Sequence, residues 1–101
     1  MMLAVILEFD VIDGMETDFR AAWTETTKLI HQHFGSLGSR LHKPHDNKFI
    51  AYAQWPSYAA YDHCIVVPKA LEIAREKMRS TLKTGKPIIL HKLEVDIDLL
   101  K

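Results

Sequence analysis

Midway along the chain, two stretches of alternating character stand on either side of a turn, and helical segments flank the pair. Few folds accommodate that arrangement. Residues 37–43 and 48–55 each alternate with the period of two that marks a strand. Between them lies Pro44-His45-Asp46-Asn47. Pro44 presets φ, while Asp46 and Asn47 tolerate left-handed backbone and bond their own main chain, so this tetrad is a turn and the whole is a β-hairpin. Pro56-Ser57 ends the second strand, and Ser57 is placed to cap a short helix over residues 57–63.

The flanks supply one strand and one long helix each. Residues 2–10 read as a first strand. Asp13-Gly14-Met15-Glu16 has the Asp-x-x-Glu spacing of a capping box, so a helix is expected from there to about His33. Phe19, Trp23, Thr26, Ile30 and His33 recur at helical spacing as its inward stripe, with Ala22 and Leu29 beside them, and Gly35 and Gly38 mark its end. A second long helix starts near Pro68, carries Leu71, Ala74, Met78 and Leu82 inward, and stops at Gly85 and Pro87. Residues 88–97 form the last strand. The order is β-α-β-β-α-β, an α+β, ferredoxin-like unit with a four-stranded antiparallel sheet and both long helices on one face.

Polar and apolar residues segregate only if Leu37, Ser39 and Leu41 lie beside Ala51, Ala53 and Trp55, with Arg40 and His42 beside Tyr52 and Gln54. The first strand then turns Leu3, Val5, Leu7 and Phe9 toward the helices. Plain alternation gives the last strand Ile89, His91, Leu93, Val95 and Ile97 on that side. The opposite face carries Arg40, Tyr52, Gln54 and Glu94 among the apolar Ile6, Ile50 and Leu90. Two helices about 10 Å across cover one face of a sheet about 19 Å wide and leave none for the other. A second copy of the chain is the economical cover, so a two-fold homodimer is expected, with Arg40, Tyr52, Gln54 and Glu94 at its interface.

Composition narrows the function. The 101 residues suffice for a single domain over 1–101 with one core, and 48% are apolar. Lys plus Arg number 13 and Asp plus Glu number 13, so no net field draws the chain to nucleic acid or to an anionic membrane. An RNA-binding module of this topology needs coplanar aromatics on its central strands, whereas Phe49 and Tyr52 fall on opposite faces. The opening run lacks a basic start and is interrupted by Glu8 and Asp10, so it reads as a strand and not a signal peptide. Cys64, the single cysteine, has no internal disulfide partner, and a cytoplasmic setting is expected.

The chain resembles the antibiotic biosynthesis monooxygenase family. The resemblance rests on the element order, the Asp-Gly start of the first helix, GSLGSRLH, and above all AYAQWPSYAAYD, with Trp55, Pro56-Ser57 and Tyr61. It spans nearly the whole chain and implies a dimeric α+β barrel. The family includes cofactor-independent oxygenases of phenols, quinol oxygenases and haem-degrading enzymes. The haem-degrading branch uses an Asn in the first strand, and a Trp and a His ten residues apart beyond the hairpin. Those positions correspond here to Leu7, Cys64 and Ala74, so that chemistry is not expected, and neither is any other cofactor.

Among the six histidines, His31 and His33 point to nearly opposite sides of a helix, and His42 and His45 flank a turn without a carboxylate or cysteine at ligand spacing. No metal site is expected. Cys64 beside His63 is no nucleophile pair, since helix neighbours do not face each other. The aromatic set is more informative. Trp23 projects from the first helix, Trp55 from the sheet, and Tyr61 lies just beyond, over the small side chains Ser39, Ala51 and Ala53. Core packing is one reading. The other is a pocket for a small aromatic molecule, bound by Trp23, Ser39, Trp55 and Tyr61, with His91 as base and His63 as second candidate. The resemblance then implies a cofactor-independent monooxygenase of a phenol or quinol. The alternative is a non-catalytic dimeric binding or regulatory module of the same fold.

Overall fold

The computed structural model describes residues 2–62 and 67–100. The described elements are β1 (Leu3–Asp10), α1 (Glu16–Phe34), β2 (Gly38–His45), β3 (Lys48–Trp55), α2 (Tyr58–Asp62), α3 (Lys69–Ser80) and β4 (Ile88–Glu94). The strands form one antiparallel sheet in the order β2-β3-β1-β4, the ferredoxin-like arrangement. No described helix is long and apolar enough to cross a membrane.

The hairpin has the expected register, with Ser39 opposite Ala53 and Leu41 opposite Ala51 on one face, and Arg40 opposite Tyr52 on the other. Its turn is tighter than the sequence suggests. β2 runs on through Pro44 to His45, with an irregularity between His42 and His45, and Asn47 takes the left-handed conformation at φ 62°. Pro44 is tolerated because β2 is an edge strand, where a missing N–H costs no ladder bond.

The capping box does not form. Met15 occupies the N-cap position of α1 with no side-chain cap. Glu16 instead accepts the Asn47 backbone N–H at 2.8 Å through Oε2 and the Lys43 ammonium at 2.8 Å through Oε1. Asp13 accepts from the Asn47 side-chain amide. Two carboxylates that local spacing assigns to the helix start thus bind the hairpin turn, fixing the start of α1 against the tip of β2–β3. At its other end α1 closes on Gly35, left-handed at φ 72°. Phe19 and Thr26 of the expected stripe are buried, whereas His33 is exposed and Phe34 packs inward in its place.

The core divides. One cluster gathers Phe9, Val11, Phe19, Phe49, Met78 and Leu82, its rings 4.8–5.1 Å apart around Phe19. The other joins Leu3, Val5 and Trp55, with Ile30, Phe34 and Tyr61 against them. Leu7 touches both. The end of α3 is tied to the end of β1 by bonds from Ile12 N–H to Thr81 and from Lys83 N–H to Asp10, each 2.8 Å.

β4 departs from the expected pattern. Leu7 faces Ile89 but Ile6 faces His91, so one residue, Leu90, is inserted as a β-bulge. Beyond the bulge every side chain is turned over relative to plain alternation. Lys92 is opposite Val5 and Glu94 opposite Leu3, both on the helix side, while His91 and Leu93 share the outer face with Ile6 and Ala4. Three expectations are thereby corrected. His91 and Leu93 do not face the helices, and Glu94 does not lie on the outer face with Arg40, Tyr52 and Gln54.

Candidate functional site

Between the two core clusters, the helix-facing side of β2 and β3 carries the small side chains Ser39, Ala51 and Ala53, with Leu7 of β1 beside them. Close packing would require large neighbours to fill that space. They do not. A cleft of about 470 Å³ opens there, roofed by Trp23, Thr27 and Ile30 of α1, floored by β1 and β3, and bounded by Trp55 and Tyr61. That volume lies within the roughly 300–1,000 Å³ of small-molecule sites. A larger concavity of about 690 Å³ runs along the outer side of α1 and α3. Ala21, Ala22, Ala70 and Ala74 line it together with the polar Asp18, Glu25, Lys77, Ser80 and Thr81, and it has no aromatic wall, so a planar ring suits the inner cleft instead.

Each wall of the cleft follows from local sequence. Trp55 is the last residue of β3 and is buried at 5% exposure, because Pro56 ends the strand and Ser57 starts α2 immediately after it. The Ser57 hydroxyl caps α2, accepting the Ala60 N–H at 3.1 Å, as the sequence suggests. That short helix carries Tyr61 onto Trp55, edge to face, with ring centroids 5.5 Å apart. The bulge in β4 brings the Lys92 ammonium over the Tyr61 ring at 5.1 Å and over Tyr58 at 5.9 Å, holding α2 from the other side. Ser39 donates to the Tyr52 carbonyl at 2.9 Å, which leaves its oxygen able to accept from a ligand. Thr26 spends its hydroxyl on the Ala22 carbonyl at 2.7 Å.

Trp23, Ser39, Trp55 and Tyr61, singled out from the sequence, therefore line one cleft. His91 lies on the opposite side of the sheet from it. His63 and Cys64 lie outside the described residues. Sequence reasoning missed Asp62, Arg75 and Arg79, which line the same cleft. The signal for the arginines was available: they are four residues apart and border the inward stripe of Leu71, Ala74, Met78 and Leu82. Among the described residues no group of three or more His, Cys, Asp or Glu is placed to hold a metal ion.

No family model matches the sequence, and no curated protein matches it. Solved structures do. SnoaB, a cofactor-independent oxygenase from Streptomyces nogalater, superposes with a TM-score of 0.76 at 14% identity, over 99% of this chain and 98% of its own. The chain has the fold of the antibiotic biosynthesis monooxygenases. A candidate member from Caulobacter crescentus CB15 matches at a TM-score of 0.77 and 18% identity, over 95% of this chain and 91% of its own. A dimeric ferredoxin-like protein of unknown function from Jannaschia sp. CCS1 matches at 0.72 and 17% identity, over 94% and 100%. The likeness thus holds from end to end of both chains.

Proposed function

We propose that the protein is a cofactor-independent monooxygenase of the antibiotic biosynthesis monooxygenase family, acting on a phenolic or quinol ring bound in the aromatic cleft. The observation that carries this reading is the cleft itself, which is open over Ser39, Ala51 and Ala53 and walled by Trp23, Trp55 and Tyr61. Flat apolar walls suit a planar ring, and the few polar groups among them can orient its oxygens. The likeness to a cofactor-independent oxygenase supports the reaction class.

A hydroquinone carries its own reducing power. Ionisation of one hydroxyl gives an electron-rich phenolate, which passes electrons directly to O₂. A ring C–H becomes C–O, the ring is oxidised to a hydroxyquinone, and the second oxygen leaves as water. The hydroquinone loses four electrons and O₂ gains four, so no external reductant enters. The protein's part is to hold the ring, exclude water and accept the first proton. With His91 on the far face, Asp62 is the carboxylate among the described cleft residues able to accept it. His63 remains a candidate base from its position in the sequence. The homodimer expected from the uncovered sheet face belongs to this reading, and so does the cytoplasmic setting.

The test is O₂ consumption by the purified protein with a panel of naphthoquinols in metal-free buffer. One O₂ consumed per hydroxyquinone formed, without peroxide release, is expected, together with loss of at least tenfold in kcat/KM for Asp62→Asn, about 1.4 kcal/mol of transition-state stabilisation. Ring binding without O₂ uptake would instead identify a non-catalytic binding module.

A further inference from the structure

The charges in the cleft bear on what enters it. Among the described lining residues they are three: Arg75 and Arg79 of α3, and Asp62 at the end of α2. The ion pairs found among the described residues involve Arg20, Lys43 and Lys48, all near the β2–β3 hairpin, and none involves Arg79. Arg79 belongs to the last turn of α3, where a cation offsets the helix dipole wherever on the turn it sits. Lys77 is in the same turn, yet it lines the outer groove between α1 and α3. Arg79 lines the aromatic cleft instead, one helical turn beyond Arg75. A guanidinium at the edge of an apolar slot presents a planar donor fork that a carboxylate matches with two parallel hydrogen bonds. A neutral phenol, with an ordinary pKa near 10, offers no such anion at neutral pH.

We propose that the cleft selects a planar aromatic acid, with the ring against Trp23 and Trp55 and the carboxylate held by Arg79. This rests on the reading of the cleft as a ligand site and adds the charge of what it takes. Arg75 contributes to the same positive field. Asp62, which lines the same cleft, disfavours ligands with a second anionic group beside it.

The experiment uses a pair of probes that differ only in the carboxylate, 1-hydroxy-2-naphthoate and 1-naphthol, titrated against the fluorescence of Trp23 and Trp55. The acid is expected to bind at least about tenfold more tightly than the naphthol, and this preference should shrink as salt is added. Arg79→Gln should bring the ratio close to one by weakening the acid far more than the naphthol. Arg79→Lys should keep part of the preference. Lys28→Gln, an equal change of net charge on the exposed side of α1, should keep all of it. Equal binding of both probes to the native protein, or a preference that survives Arg79→Gln, overturns the selection but leaves the cleft as a ring site. Failure of both probes to quench either tryptophan overturns the ligand site as well.

Discussion

Trp55 shows how one side chain serves both the fold and the cleft. It is almost fully buried, closes the second core cluster with Leu3 and Val5, and presents part of its ring to the cavity. Trp55→Ala should therefore cost about 3–5 kcal/mol of stability, read as a lower denaturant midpoint in a far-UV circular dichroism titration. Trp55→Phe keeps an apolar ring and should cost less than half as much. Because the alanine variant enlarges the cavity and weakens the fold together, probe affinity should be compared at equal folded fraction, and the phenylalanine variant separates the two effects. Tyr61 depends on Trp55 for its position, through the edge-to-face contact, and Lys92 holds the same ring.

At the scale of elements, the sequence was legible where one period ruled and illegible where two constraints competed. The hairpin register followed from segregation of Arg40 and Tyr52 from Leu41 and Ala51, and the structure has it. The α3 stripe followed from helical spacing, and Leu71, Ala74, Met78 and Leu82 are buried. The face of β4 did not follow, because a bulge at Leu90 inverts every later side chain and His91 leaves the cleft side. The run Ile88-Ile89-Leu90, apolar at three successive positions, was the local sign that simple alternation fails there. The start of α1 was misassigned for a different reason. Asp13 and Glu16 have capping spacing, but Asn47 and Lys43, distant in sequence, outcompete the helix N–H groups for them. That junction is charge-dependent. The Lys43 hydrogen bond first, and the Asn47 N–H second, hold the Glu16 carboxyl below its ordinary value of 4.5, while Glu16 raises Lys43 above 10.5. A depressed carboxylate contributes stability that is present above its unfolded pKa and is lost as pH falls through the folded one. The thermal midpoint should therefore drop on acidification below about pH 4.5. Glu16→Gln should remove the part of that drop which belongs to this junction, while lowering the midpoint at neutral pH.

For the whole molecule, the question is what covers the outer face of the sheet. The two long helices pack on the inner side, where Leu3, Val5 and Phe9 are buried. The bulge makes the outer face more apolar than alternation suggests. Glu94 and Lys92 leave it, and Leu93, 49% exposed, joins Ile6, Ile50 and Tyr52 there. His91 comes to the same face, opposite Ile6, and the Glu8–Lys48 ion pair stands toward one end of it. A central strip of Ile6, Ile50, Tyr52 and Leu93, with Arg40, His42 and Gln54 around it, has the apolar centre and polar rim of an interface between copies. Tyr52 stands near the middle, its hydroxyl accepting from Gln54 at 3.1 Å. In a two-fold dimer across this face, one substitution at Tyr52 enters the interface from both copies. Tyr52→Asp would place a carboxylate from each copy in a desolvated layer, and removal from water costs each charge several kcal/mol even with Arg40 opposite it. The native protein should run as a dimer in light scattering at micromolar concentration, and Tyr52→Asp as a folded monomer with an unchanged far-UV spectrum. Glu94→Ala should leave the dimer intact, because Glu94 faces the helix side. A native monomer would leave the outer sheet face without its expected cover, and dissociation by Glu94→Ala would place the interface at the β4 edge instead.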